Sequence, residues 1–236
     1  LASLESTVTE EERDAGVVLV DIGGGSTDIA IFKDKIICHT AVIPFGGNII
    51  TQDIRKGCRI LERHAEKLKV KFGSAHAQES SENEVVGIPG LRGQEPKEIT
   101  LKTLASIIEA RMEEIIYLVK AQIDSSGYAD EIIGGIVITG GGSKLKHLTQ
   151  LFEYHTGMHS RIGYPCEHLA NENSEEFMSP MYSTGIGLVL KGFGEGNSMR
   201  LDQSKAEVPE ERGKFIEKVL DRLKPLFVDE EADKEQ

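Results

Sequence analysis

Residues Asp21 to Phe32 read D-I-G-G-G-S-T-D-I-A-I-F, directly behind the apolar run Val17-Val18-Leu19-Val20. An unbroken apolar run of this length fits a strand buried on both faces, and three successive glycines do not continue one. The chain must turn there and come back as a second strand that alternates again. Glycines leave the backbone N–H groups of the turn bare, with no Cβ to hold a ligand away. Ser26 and Thr27 add hydroxyl donors, and Asp21, at the strand end, is placed to hold a metal-bound water. The pattern is that of a phosphate-binding hairpin for a nucleotide with Mg²⁺, with Asp21, Gly23, Gly24, Gly25, Ser26 and Thr27 as its residues. A second glycine turn, Ile136-Val137-Ile138-Thr139-Gly140-Gly141-Gly142-Ser143, again follows an apolar strand. This one is expected to run into a helix, whose N-terminus adds positive potential. Two such loops in one chain suggest a divided nucleotide site.

The chain has 236 residues, enough for one or two domains with a sizeable core. It opens on Leu rather than Met and is expected to be a piece or a processed form of a longer protein. A net charge of −12 argues against general nucleic-acid binding, which needs a surplus of Lys and Arg on phosphates. Part of the acidity is local: Asp229 to Gln236 carries five carboxylates and one Lys, as a solvated tail does. Three cysteines, Cys38, Cys58 and Cys166, with no C-x-x-C spacing, fit a reducing compartment and no metal site. No apolar run approaches the roughly 20 residues of a membrane span.

Along the chain, residues 1–15 are polar and acidic and read as an extension or a severed helix end. Strands are expected at about 17–22, 27–33 and 35–43, the last two joined by the turn Lys33-Asp34-Lys35. Phe45-Gly46-Gly47-Asn48 is expected to open a helix through about Cys58, followed by a second helix over about 62–72 and a short strand at 84–88, with Gly90 and Gly93 suggesting a hairpin. A long helix over 101–124 carries one apolar stripe, Leu104, Ile107, Ile108, Met112, Ile115, Ile116, Val119 and Ile123, with Thr100 as its cap. After the strand at 135–139 come a helix over 143–156, a strand at 159–162 and a closing helix over 183–191. Residues 194–212 read as a polar linker. Residues 213–227, G-K-F-I-E-K-V-L-D-R-L-K-P-L-F, place Phe215, Ile216, Val219, Leu220 and Leu223 on one helical face, flanked by Lys214, Lys218, Arg222 and Lys224. A cationic amphipathic helix behind a linker is the pattern of a segment lying in a membrane surface, although a partner-binding or docking helix has the same periodicity. Arg111 on the long helix, with Lys102, Lys97 and Arg92 nearby in sequence, reads as a local basic cluster.

These motifs, in this order, carry a resemblance. D-I-G-G-G-S-T-D-I-A-I-F resembles the second phosphate motif of the actin/Hsp70/sugar-kinase superfamily, and I-V-I-T-G-G-G-S-K-L its adenosine motif. A-E-K-L-K at 65–69, followed by Phe72-Gly73, resembles the ribose-contacting helix of the bacterial actins. V-I-P-F-G-G-N at 42–48, I-I-E-A-R at 107–111 and Y-S-T-G-I-G-L at 182–188 narrow the resemblance to the FtsA family, over about 16–193. The resemblance implies an α/β chain with the actin-like ATPase (ribonuclease H-like) fold. The first phosphate hairpin and first connecting helix of that fold do not occur here, so the chain corresponds to one half of the two-domain architecture. It implies subdomain 2A at 16–46 and 133–193, subdomain 2B as an insertion at 47–132, then the linker at 194–212, the amphipathic helix at 213–227 and the acidic tail at 228–236.

The same resemblance implies the chemistry. Asp21 to Thr27 would meet ATP phosphates, with Asp21 holding Mg²⁺ through water. Gly140, Gly141, Gly142 and Ser143 would meet the adenosine. Glu66 and Lys69, three apart and so on one helix face, would meet the ribose. Arg92, Lys97, Lys102 and Arg111 would dock the acidic-apolar C-terminal tail of FtsZ. Phe215, Ile216, Val219, Leu220 and Leu223 would enter the inner face of the cytoplasmic membrane, placing the protein at the division site. Full-length protein would self-associate into actin-like filaments. No nucleophile with a paired base is visible, so hydrolysis is not expected of this half alone. The rival reading is half of a sugar- or acetate-kinase-like or Hsp70-like ATP-dependent enzyme.

Overall fold

A computed structural model describes residues 2–89, 95–165 and 177–202. The chain divides into two units, Leu1–Lys191 and Gly192–Gln236. The first is built on a five-stranded mixed sheet in the order β3-β2-β1-β6-β7. Strand β1 (Val17–Ile22) lies at the centre and is buried on both faces, as its apolar run requires. β2 (Thr27–Lys33) and β3 (Ile36–Ile43) follow as an antiparallel meander. Asp34 and Lys35, between them, have φ of 50° and 62°. Two left-handed residues in a two-residue loop give the primed turn whose twist matches paired strands. β6 (Ile136–Thr139) then runs parallel to β1, and β7 (Ser160–Ile162) parallel to β6.

Strand alternation divides the core in two. Val18, Val20, Ile22, Ile29, Ile31, Ile136 and Ile138 share one cluster with the apolar sides of helices α3 (Gly47–Cys58), α4 (Glu62–Phe72), α5 (Leu101–Ser125) and α6 (Leu148–Thr156). Helix α5 supplies its expected stripe: Leu104, Ile108, Met112, Ile115, Ile116, Val119 and Ile123 are buried, while Ile107 is partly buried and packs beside Gly57 of α3. Each such side chain stabilises the fold by about 2 kcal/mol. The Thr100 hydroxyl accepts the Thr103 N–H at 3.1 Å and caps the helix.

The opposite face of the sheet gathers Val17, Leu19, Ala30, Phe32 and Val137 around Leu4 and Val8. The segment read from its polarity as an extension or a severed helix end therefore covers the core through helices α1 (Ala2–Thr7) and α2 (Glu10–Ala15). Leu4 and Val8, four apart, make a stripe too narrow to shift the composition of the segment. A capping box of Thr9 and Glu12 starts α2. Glu12 is also gripped in bidentate fashion by Arg161 of β7, with Nε and one terminal nitrogen each 2.6 Å from a carboxylate oxygen. Arg161 also donates to Thr7 O at 2.9 Å. Burial pushes the Glu12 carboxyl up, but the hydrogen bonds from Arg161 and Thr9 outweigh it and hold it below its ordinary value. A depressed carboxylate stabilises the fold above its unfolded pKa, about 4.3, and that stabilisation is lost as pH falls through the folded value. Glu12→Gln should therefore cost about 2 kcal/mol at neutral pH. The difference in melting temperature from the parent should narrow as pH falls below the unfolded value and close below the folded one; a gap that stays constant with pH would contradict this.

The hairpin suggested by Gly90 and Gly93 forms, with β4 (Val85–Ile88) paired antiparallel to β5 (Lys97–Thr100). Only Ile99 of β5 is buried, so the sequence pattern does not mark this second strand. Two further elements depart from expectation. The turn after β6 continues as a 3-10 turn, Gly141–Lys144, and α6 starts only at Leu148 behind the left-handed His147. The expected helix start at 143 is thus moved, and no α-helix N-terminus stands at the second glycine turn. The closing helix α7 spans Ser183–Asp202, beyond the expected end at 191 and into the stretch read as linker. Gly192, Gly194 and Gly196 are weak helix formers, which is why the sequence reads as ending there.

Candidate nucleotide site

The first glycine turn is held from behind by helix α3. Gly47 N–H donates to Gly23 O at 2.9 Å, and Asn48 N–H to Gly24 O at 2.8 Å. The helix N-terminus, which has no side-chain cap, is thereby satisfied by the hairpin's own carbonyls. In a trans peptide the C=O and N–H point opposite ways, so the N–H groups of Gly24 and Gly25 are turned outward. Neither these nor the Ser26 N–H has an acceptor among the described residues. This close approach needs Gly46, where a Cβ would stand 2.5 Å from Gly23 O. At Gly25 nothing lies within 4 Å of the position a Cβ would take, and no positive φ requires glycine there. The open cradle over bare amides fits an anionic group such as a phosphate.

The three predicted motifs converge. A cavity of about 300 Å³ is lined by Gly23 and Gly24 of the hairpin, Glu66 and Lys69 of α4, and Gly141 and Gly142 of the second turn. Gly47, Asn48, Ile50, Val70, Lys144, Leu145 and Met181 complete its wall. Asn48 lay within the quoted motif V-I-P-F-G-G-N but was not picked out as a site residue; the signal was a glycine pair opening a helix.

Other predicted residues take supporting places. Asp21 Oδ2 accepts the Thr184 hydroxyl at 2.9 Å, and Oδ1 would lie 2.4 Å from a Cβ at Gly140. The Ser26 hydroxyl, on the turn, donates to Asp28 at 3.2 Å. Thr27 is fully buried and its hydroxyl donates inward to Phe45 O at 2.8 Å, so it fastens the hairpin rather than facing the cavity. Ser143 is buried as well, its hydroxyl closing the 3-10 turn on Gly140 O at 2.8 Å. Glu66 and Lys69 pair at 2.8 Å. Burial pushes the Glu66 carboxyl up, but the hydrogen bonds of Lys69 and Thr51 outweigh it and hold the group low, hence ionised and an acceptor only.

The expected basic cluster does not assemble. Arg111 Nε is bonded to Asp53 of α3 at 2.6 Å and a terminal nitrogen to Glu114. Lys102 pairs with Glu82, and Lys97 donates to Cys58 O. Lys102 and Arg111 are nine residues apart, which on a helix of 3.6 residues per turn puts them on opposite sides. Arg92 lies outside the described residues, as do Phe215, Ile216, Val219, Leu220 and Leu223. No described helix is long and apolar enough to cross a membrane.

Comparisons with known proteins bear on the fold and the family. Among solved structures, MreB5 of Spiroplasma citri bound to AMPPNP matches with a TM-score of 0.70 and 20% identity, over 85% of this chain and 60% of that one. A PilM-PilN type IV pilus biogenesis complex matches with a TM-score of 0.59 and 19% identity, over 81% and 50%. The fold is thus actin-like, α/β, as expected. The cell division protein FtsA of Pseudomonas aeruginosa is 38% identical over 222 residues, 93% of this chain and 53% of its own length. That of Escherichia coli K12 is 35% identical over 201 residues, 81% and 47%. The chain spans about half the length of the curated relatives it matches. The profile of the family described as cell division protein FtsA matches residues 18–187, and the chain belongs to that family.

Proposed function

We propose that the full-length protein binds ATP with Mg²⁺ in a cleft of which this chain forms one wall, and that it serves in cell division as an adaptor tethering FtsZ filaments to the cytoplasmic membrane. The observation that carries the nucleotide reading is the convergence of three separate motifs, from Gly23 to Gly142, on one cavity. Its 300 Å³ is at the lower end for a small-molecule site, as befits a single wall. In this reading residues 16–46 and 133–193 form subdomain 2A and residues 47–132 subdomain 2B. The outward amides of Gly24 and Gly25 would hold the phosphate oxygens, Gly141 and Gly142 would let the adenosine approach, and Asp21 would hold Mg²⁺ through water. The ion supplies charge neutralisation at the phosphates; the chain supplies position.

The adaptor reading rests on membership of the family. The partner is the C-terminal tail of FtsZ, approaching the side of α5. Because Arg111 is held by Asp53 and Glu114, tail carboxylates on its side of the helix would compete with these two rather than fill a waiting basic patch. The membrane contact is the segment 213–227, and nucleotide-bound protein self-associates into filaments on the inner face of the membrane.

Asp21→Ala in the full-length protein tests the site. Losing a charged acceptor should weaken Mg²⁺-ATP binding by about ten-fold or more, as read by calorimetry. Equal affinity for the two proteins, or no ATP binding by the parent, would overturn the reading.

A further inference from the structure

Thr51 lies one turn into α3 from Gly47 and is 3% exposed. Its hydroxyl is the junction of a small network. It donates to Glu66 Oε2 at 2.5 Å and receives Lys69 Nζ at 2.8 Å. Lys69 Nζ also donates to Gly47 O at 2.9 Å, and Gly47 N–H reaches the glycine hairpin at Gly23 O. The one hydroxyl proton could alternatively serve Gly47 O, 3.2 Å away; the shorter partner is the carboxylate.

Both internal contacts on Glu66 fall on Oε2. Oε1 has no partner among the described residues, and Glu66 is part of the cavity wall. An ionised carboxylate has acceptor sites on both oxygens, so the network leaves one oxygen of a cavity-wall residue with its capacity unused. Lys69 alone would not fix the carboxylate's orientation, because an ammonium is a point charge on a flexible stem. A β-branched side chain on a helix is stiff at χ1, and Thr51 is buried besides.

We propose that Thr51 is a positioning residue for sugar recognition: by holding Glu66 Oε2 it presents Oε1 as the acceptor for a ligand hydroxyl, and so makes the site prefer a ribose over a sugar without hydroxyls. The inference rests on the nucleotide reading above. The donor class follows from the free oxygen, which can only accept, beside glycine amides suited to phosphate.

The test compares ATP with 2′,3′-dideoxy-ATP on the full-length protein by calorimetry. The parent should prefer ATP by about ten-fold or more, the usual effect of a hydrogen bond to a charged group. Thr51→Val should bring the ratio near one, while Thr51→Ser, which keeps the hydroxyl, should retain it. If Thr51→Val does not fold, Thr51→Ala, which removes the donor without adding bulk, answers the same question. A folded Val or Ala variant that keeps the full preference overturns the role of Thr51 and leaves the nucleotide reading standing. A parent that binds both ligands equally overturns the sugar contact, and one that binds neither overturns the nucleotide reading with it.

Discussion

Gly140→Ala should destabilise the protein severely, whereas Gly25→Ala should leave its stability unchanged and weaken nucleotide binding. Gly140 has φ of 82° and ψ of 175°, a region that is essentially glycine's alone. A Cβ there would stand 2.4 Å from Asp21 Oδ1 and 2.6 Å from Ile22 O. The second of these is backbone of the central strand and has nowhere to go. Backbone strain of about 2 kcal/mol and an overlap of similar size add to roughly 4 kcal/mol. For a chain of this size that is a fall of roughly 10 °C in melting temperature, or no folded protein at all. Gly25 carries neither constraint, so its alanine methyl intrudes only on a ligand. Thermal melts and ATP calorimetry of the two variants should dissociate. Were both to lower stability alike, the open cradle over the hairpin would be a structural turn and not a phosphate site.

That contrast also shows where sequence reasoning reaches its limit. The strands β1, β2, β3 and β6 were legible because burial on one or both faces imposes a pattern of two or an unbroken run. The stripe of α5 was legible for the same reason at a period of 3.6. Leu4 and Val8 were not, since two apolar residues in an acidic segment leave no period to read. Two of the three cavity motifs could be named from their glycines and the third from the motif around Glu66 and Lys69, but not their division of labour. Thr27 and Ser143 look like ligand donors in the string of letters, yet they turn inward because Phe45 O and Gly140 O are nearer. Thr51 carries no signal in the string at all. It matters only because α3 crosses behind the hairpin and brings it against α4. The basic cluster failed on helical phase: proximity in sequence is not proximity on a surface, and nine residues is half a revolution out.

The second large effect is expected at the C-terminus. Deleting residues 213–236 from the full-length protein should leave FtsZ binding intact and abolish its recruitment to anionic vesicles. Phe215, Ile216, Val219, Leu220 and Leu223 recur at helical spacing, and Lys214, Lys218, Arg222 and Lys224 flank them. A helix of about a dozen residues is marginal in water, but at a lipid surface the apolar face leaves water as the backbone satisfies itself. Each cation near such a surface contributes about 1 kcal/mol. Pro225 would end such a helix, and the acidic residues after Val228 would oppose the attraction, so a single copy should bind modestly and reversibly. The proposed filaments would present many copies at once, and avidity would convert modest affinity into firm attachment. The measurement is flotation with anionic vesicles in the presence of FtsZ or of FtsZ lacking its tail. The parent should carry intact FtsZ upward and leave the tail-less form behind. The shortened protein should still co-sediment with FtsZ filaments but float roughly a hundred-fold less, and high salt should mimic the deletion for a partly electrostatic contact. A shortened protein that floats as well as the parent would place the anchor elsewhere and leave residues 213–227 as a docking helix.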